Sequence, residues 1–564
     1  MSATLIDPLP PRQDPVPGGG SPRWAVWRSP SGQPRWARPA LLGIAFVAAV
    51  LYAWNLASVD FAPMYSNVAK SMSESWKAFF YGTVDAQGTY ALDKLAGSFA
   101  PQAISARIFG YHPWSLALPQ VIEGVVSVLV MYRVVRRWAG VVPGLLAAGI
   151  FTLTPVAASM FGHSMEDGAL VMCLVLAVDA YQRAVLEGRL RSLVWAGVWV
   201  GIGFQAKMLQ AWTILPALAV GYLLTAPVET RRRLQHLGIA GVVTLAVSLS
   251  WIALYTLTPD GSRPYVAGTT NGSAAAMVFG YNGLSRVGID LPGAKEFTND
   301  GAQIDPKAPP ELLDIRPTIR GNPWDDPTKA ASRENPTGAG KLFDGSLGVA
   351  IAWLYPLTIL ALLCGLWWRR RAERTDPLRG GLVMWGVWLV TLGLTFTVAA
   401  VPHTAYVGSL APPVAALSGL GIVMFWRAYR RGGGRAWILP AVVAAETAWA
   451  AWLWSHYPGF LPWARWGALA LGVVAVVVLV LARVVRSTAV VSAALVAGVA
   501  AVLAAPATYA ISVLDPDYAG ASYDANAGPE SGKIPAGPGA GRMPTGPAGP
   551  GGPGGGKPGD GGGG

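Results

Sequence analysis

Five groups of ionisable residues stand where one apolar stretch hands over to the next, and their types suit the handling of a hydroxyl and an anion. Asp60 directly follows an apolar run, in Ser58-Val59-Asp60-Phe61-Ala62-Pro63. A carboxylate at the mouth of a helical bundle can take a proton from a hydroxyl while staying near water; the same residue could also do no more than stop a helix. Asp93 and Lys94 are adjacent in the next polar stretch, with Asp85 the weaker acid there. A lysine near a membrane surface can hold a lipid phosphate as a point charge, whereas a solvated neighbouring pair contributes little. His163, Glu166 and Asp167 fall within Gly162-His163-Ser164-Met165-Glu166-Asp167-Gly168. Asp167 could be a helix N-cap, and the three together could touch a hard divalent cation, Mg²⁺, Mn²⁺ or Ca²⁺ rather than zinc. Lys207, in Gly203-Phe204-Gln205-Ala206-Lys207-Met208, lies at a turn too short to expose it freely, so it needs an anionic partner. His403 occupies the matching place between two later runs, with Tyr406 close behind as either a site residue or its packing partner.

The elements that must position these groups are membrane helices. The chain of 564 residues is 52% hydrophobic and only 13% charged, about half the charge of a water-soluble domain. Its net charge of +12 comes from basic clusters between apolar runs, which suits topology and anionic lipid head groups rather than nucleic acid. Cys173 and Cys364 both lie inside apolar runs, so no disulfide framework is expected. Runs of about 17 to 25 residues place thirteen spans near 40–58, 117–137, 141–161, 167–186, 190–206, 208–226, 237–257, 346–368, 380–400, 403–425, 436–455, 463–484 and 488–510. Arginines close or follow every even-numbered span: Arg133, Arg136 and Arg137; Arg183 and Arg189; Arg231 to Arg233; Arg369 to Arg371; Arg427, Arg430 and Arg431; Arg483 and Arg486. The positive-inside bias then sets the amino terminus, beside Arg35 and Arg38, in the cytoplasm and the carboxyl terminus outside.

The expected organisation follows. Residues 1–39 form a disordered cytoplasmic terminus and 40–257 a first transmembrane module with an outer loop at 59–116. A large outer loop at 258–345 precedes further spans at 346–510, and 511–564 is a disordered Gly/Pro-rich tail. Val68, Met72, Trp76, Phe79 and Phe80 recur at helical spacing against Lys70, Ser73, Glu74 and Lys77, which predicts an amphipathic helix over 69–80 lying in the membrane interface, with a second near 99–109.

Several local strings resemble the protein O-mannosyltransferase and lipid A aminoarabinose transferase superfamily, GT-C class membrane glycosyltransferases (glycosyltransferase family 39), most closely its bacterial dolichyl-phosphate-mannose-mannosyltransferase-like branch. They are Met64-Tyr65-Ser66-Asn67-Val68-Ala69-Lys70-Ser71-Met72, Ser75-Trp76-Lys77-Ala78-Phe79-Phe80, Asp93-Lys94, Arg107-Ile108-Phe109-Gly110, Asp260-Gly261-Ser262-Arg263-Pro264-Tyr265, Phe279-Gly280-Tyr281-Asn282-Gly283-Leu284 and the stretch 403–417. The resemblance covers roughly 40–430. It implies an all-α, GT-C type bundle in a bacterial plasma membrane and transfer of a sugar from a polyprenyl-phosphate donor on the outer face. The family's catalytic base matches Asp60. Its acidic-residue-plus-lysine motif matches Asp93-Lys94, although Leu95-Ala96 stand where two prolines usually follow, and its short turn ending in aspartate matches 163–167 without the usual asparagine-rich lead-in.

The leaving phosphate needs positive charge nearby, so Lys94, Lys207 and Arg263, with Asp93, are the candidates for holding the donor phosphate or organising the site, with Glu166, His163, Tyr65, His403 and Tyr406 in support. A divalent cation on Asp93 or Asp167 is left open. Membrane lipids and a protein, lipid or polysaccharide acceptor are the remaining partners. The alternatives are a catalytically degenerate scaffold in cell-envelope assembly and a lipid or sugar transporter. A transporter should show internal repeats and polar residues at the bilayer midplane; no convincing repeat is visible, and these residues lie at the rim.

Overall fold

The computed structural model describes residues 27–529 apart from Pro63, 296–337, Pro402, 486–487 and 523–524. The expected N-terminal disorder over 1–26, residues 296–337 of the second loop and the tail beyond 529 therefore lie outside the described residues. The described chain is almost entirely helical. Among the described residues ten helical stretches are long and apolar enough to cross a membrane, and two shorter apolar helices, Ala37–Ala53 and Val141–Thr152, accompany them. This is an all-α polytopic membrane protein.

In chain order the first elements are α1 (Ala37–Ala53), α2 (Tyr65–Glu74), α3 (Trp76–Tyr81), α4 (Ala100–Phe109), α5 (Pro113–Ala139) and α6 (Val141–Thr152). They are followed by α7 (Pro155–Met160), α8 (Asp167–Glu187), α9 (Leu190–Lys207), α10 (Leu215–Thr225) and α11 (Thr230–Leu257). The single apolar run at 141–161 is two helices. Pro155 has no N–H to continue α6 and holds Thr154 extended (ψ 123°), so the chain restarts as α7. The amphipathic stretch at 69–80 is likewise divided: Ser75 is extended, and its hydroxyl accepts from Ala78 N to cap α3.

The long apolar stretch Leu190–Thr225 folds back on itself. Lys207, at the end of α9, meets Asp167 at the start of α8. Gly221, late in α10, packs against Tyr181 at the other end of α8. The reversal falls at Met208, a non-glycine residue held at φ 44°, ψ −133°, a sparsely populated conformation that the surrounding packing must enforce.

One end of the bundle gathers the arginines. Asp179 of α8 pairs with Arg133 (2.7 Å), Arg137 (3.1 Å) and Arg183 (3.1 Å). The opposite end, the loop face, carries the segments between α1 and α5 and after α11. These two loops join through a short parallel pairing of Tyr90–Ala91 with Tyr265–Val266. The second loop, expected to be irregular, thus folds onto the first where it is described. The final helices Ile438–Ser455, Pro462–Val485 and Thr488–Ile511 close the bundle around Trp353, Trp454, Phe460 and Tyr509, whose rings meet at 4.6–5.9 Å. Beyond them, the described residues of 512–529 do not begin a loose tail. Ala519, Ser522, Ala525 and Ala527 are all buried against the loop face.

Candidate active site

The site centres on Lys207. The backbone reversal at Met208 turns the end of α9 toward the start of α8, and the lysine ammonium bonds the Asp167 carboxylate and lies 3.6 Å from Glu166 Oε1. It also sits 4.0 Å from the Tyr406 ring centroid, a cation–π contact. All three ionised residues are essentially buried (Lys207 6%, Glu166 6% and Asp167 1% exposed). Burial works to raise the Glu166 pKa, but the ammonium groups of Lys207 and Lys94 outweigh it and hold the carboxyl below its ordinary value. His403 faces the same group. Burial, helped by Lys207, pushes its pKa down to about 4, so the imidazole is neutral near pH 7.

Lys94 enters from the first loop. The loop docks on the last turn of α9 through Ser98 Oγ, which donates to the Ala206 carbonyl at 2.6 Å. Gly97 permits this approach: a Cβ there would lie 2.6 Å from the Gln205 carbonyl oxygen. Lys94 Nζ pairs with Asp93 at 2.7 Å and lies 6.0 Å from the Tyr65 ring centroid. Burial works to lower its pKa, yet attraction to Asp93, Tyr406 and Glu166 wins and holds the ammonium above the ordinary lysine value. The second loop braces the pair: Asn282 Nδ2 donates to the Asp93 carbonyl at 2.7 Å, and Arg286 Nη2 reaches Asn282 Oδ1 at 3.4 Å.

Asp60 lies exposed on the same face, past the end of α1, and its charge acts on His163. His163 is buried; its Nδ1 bonds the Ser159 carbonyl at 2.8 Å, and burial pushes its pKa below the ordinary histidine value. The structure thus brings Lys94, Asp93, Lys207, Glu166, Asp167, His403, Tyr406 and Tyr65 into one polar patch, with Asp60 and His163 alongside.

Arg263 does not join it. Its guanidinium pairs with Asp260 at 2.6 Å and lies over Tyr255, held by its own turn. Asp85 is structural: its carboxylate accepts from the Thr89 and Tyr90 amides at 3.0 Å and shapes the turn before Tyr90. The donor set also does not fit a metal ion. Asp93 and Asp167 each face a lysine ammonium, and among the described residues no group of three or more His, Cys, Asp or Glu is placed to hold one. Sequence reasoning missed Arg286 and Asn282 as site members. Both lie in a loop of little periodicity, and only the quoted string 279–284 marked the place. Arg286 matters electrostatically. Three carboxylates here face two ammonium groups, a net charge of −1, and its guanidinium brings the total to zero.

Residues 98–252 match the protein family described as dolichyl-phosphate-mannose-protein mannosyltransferase. Two Bacillus subtilis (strain 168) proteins align over most of the chain. "Putative mannosyltransferase YkcB" is 31% identical over 479 residues, covering 74% of this chain and 66% of that protein. "Putative mannosyltransferase YycA" is 30% identical over 468 residues, covering 74% and 68%. The chain therefore spans about two thirds of the length of these relatives. The crystal structure of ArnT from Cupriavidus metallidurans bound to undecaprenyl phosphate superposes with a TM-score of 0.48 at 15% identity, covering 84% of this chain and 76% of that one. The chain belongs to the GT-C membrane glycosyltransferases related to the protein mannosyltransferases and aminoarabinose transferases, as a multi-pass bacterial membrane protein.

Proposed function

We propose that this protein transfers a sugar, with mannose the first candidate from its relatives' names, from a polyprenyl-phosphate donor to an acceptor hydroxyl at the extracytoplasmic face of the membrane. The observation that carries this reading is the convergence of Lys94, Lys207 and Arg286 from three separate segments onto one rim of an apolar bundle. A lipid phosphate can reach that rim while its isoprenoid tail stays in the bilayer. In this account the loop face is the outer face, thirteen crossings put the amino terminus inside, and α2 to α4 lie at the outer interface.

The reaction is a single displacement. The acceptor oxygen attacks the anomeric carbon, the bond from that carbon to the phosphate oxygen breaks, and the configuration inverts. Asp60 takes the acceptor's proton. The polyprenyl phosphate leaves as an anion, so it needs electrostatic stabilisation more than a proton. Lys94, Lys207 and Arg286 supply that charge, while Asp93, Glu166 and Asp167 fix the two lysines so that little reorganisation accompanies bond cleavage. Tyr406 packs over Lys207, with neutral His403 beside its ring, and keeps water from the ammonium.

A panel of radiolabelled polyprenyl-phosphate sugars, offered to membranes with and without the protein, tests the reading. Protein-dependent transfer from one member of the panel is expected. Folded protein that transfers from none would turn the reading toward a scaffold.

A further inference from the structure

The chain that follows Thr488–Ile511 turns back over the loop face and reaches the Asp60 side of the site. The Val513 carbonyl accepts from Asn55 Nδ2. The Ala519 carbonyl accepts from Ser159 Oγ at 2.6 Å. Gly520 shares a backbone hydrogen bond with His163, and Ser522 Oγ donates to the Asp60 carbonyl at 3.4 Å. One short stretch is thereby fastened both to the exit of α1, through Asn55 and Asp60, and to α7 and the turn after it, through Ser159 and His163. The Ala519 and Ser522 bonds span 360 and 462 residues of sequence, so the contact is tertiary.

The composition suits close packing rather than chemistry. Ala519 and Ser522 are buried, as are Ala525 and Ala527 further on, and Gly520 adopts φ +87°, a conformation that favours glycine. The flanks are held as well. Phe460 packs edge-on against Tyr518 at 5.1 Å, and Gly528 N donates to the Tyr518 carbonyl at 3.0 Å. Anchoring of this kind marks a fixed wall, since a segment meant to open draws on few buried contacts.

We propose that residues 519–522 form the acceptor-side wall of the site: they hold the Asp60 backbone and the His163 ring and close that side of the mouth, so an acceptor approaches Asp60 only from its open face. The acceptor part of this inference rests on the reading of Asp60 as the base. The segment offers the reaction no acid or base of its own, so its residues are positioning residues. Its loosening should therefore raise the KM for acceptor and the share of donor lost to water, with donor affinity unchanged.

The test reads geometry apart from activity. In the full-length chain with Cys173 and Cys364 replaced by Ala, His163→Cys reports access to a membrane-impermeant maleimide. The wall is then loosened by Ser159→Ala with Ser522→Ala, or displaced by Ala525→Glu, and a chain ended after Leu514 removes it. Labelling should quicken by about tenfold in the double variant, the scale set by two ordinary hydrogen bonds. Equal rates in the full-length variants and their parent would overturn the wall, whether or not the shortened chain folds. Faster labelling, with no sugar transfer from any donor by the native chain that keeps His163, would keep the wall and sink the transferase reading. Unchanged labelling in a protein that transfers sugar would do the reverse.

Discussion

Replacing Lys207 with methionine should reverse the sense in which Glu166 couples the protein's stability to pH. The ammonium is the shared counter-charge of Asp167 and Glu166, which are 1% and 6% exposed. Removing one partner of such a buried group costs about 3–5 kcal/mol, and methionine keeps most of the side-chain volume, so little of that cost is a cavity. In the native protein Glu166 is held below its ordinary pKa. Its ionised form then contributes stability above the unfolded value of about 4.3, and the contribution fades as pH falls through the lower folded value. His403 acts in the same sense. Its folded pKa of about 4 lies below the unfolded value of roughly 6.5, so the unfolded chain binds the extra proton between the two and stability drops as pH falls.

Without Lys207, burial, the largest influence on Glu166, is opposed chiefly by Lys94. The folded carboxyl then lies above its unfolded value, folding favours the protonated form, and stability rises as pH falls toward the unfolded value of about 4.3. His403 is eased at the same time, since Lys207 helps to depress it. Thermal melting in detergent, followed through the 24 tryptophans at a series of pH values, reads both effects. K207M should melt far below the native protein at neutral pH and close the gap under acid, and E166Q added to K207M should flatten the slope. A K207M protein that melts with the native one, or that keeps the native slope, would refute the reasoning.

Other perturbations have distinct expected outcomes. Gly97→Ala places a methyl 2.6 Å from the Gln205 carbonyl oxygen, backbone that cannot swing aside; the overpacking should cost about 1–3 kcal/mol and undock the Lys94 loop, seen as a lower melting temperature and as faster proteolysis between α3 and α4. Arg286→Gln should weaken binding of polyprenyl phosphate about tenfold or more, the range for one charge-assisted hydrogen bond, while leaving the fold intact; isothermal titration that shows equal affinity would remove Arg286 from the phosphate. Asp179→Asn loses three arginine partners, but Arg133 and Arg183 are nearly half exposed and can turn to water. Its cost should stay near about 1–2 kcal/mol, below that of K207M, in the same melting assay.

Much of this was legible in the sequence for physical reasons. Apolar length and the arginine alternation mark helices whose ends must sit at an interface. A lysine stranded between two apolar runs demands an anion, and Lys207 found Asp167 and Glu166, both already candidates. The helix breaks at Thr154 and Ser75 were less visible, because each depends on one residue within a periodic run. That Arg263 stands apart from the patch was not legible, because a basic residue in a familiar string says nothing of the local Asp260 with which it pairs. Arg286 and residues 519–522 were hidden for a different reason. Their roles arise from contacts between distant segments, and a small-residue stretch ahead of a Gly/Pro tail carries no local signal of burial.

The central claim is that Asp60 takes the acceptor's proton at a site whose cations hold the donor phosphate. Single-turnover transfer from whichever polyprenyl-phosphate sugar the native protein uses, compared with Asp60→Asn, tests it most directly, with binding of the same donor measured alongside. The expected result is unchanged donor affinity and a transfer rate lower by roughly 100-fold or more, the usual scale for loss of a general base. Equal transfer rates in the two proteins would contradict it.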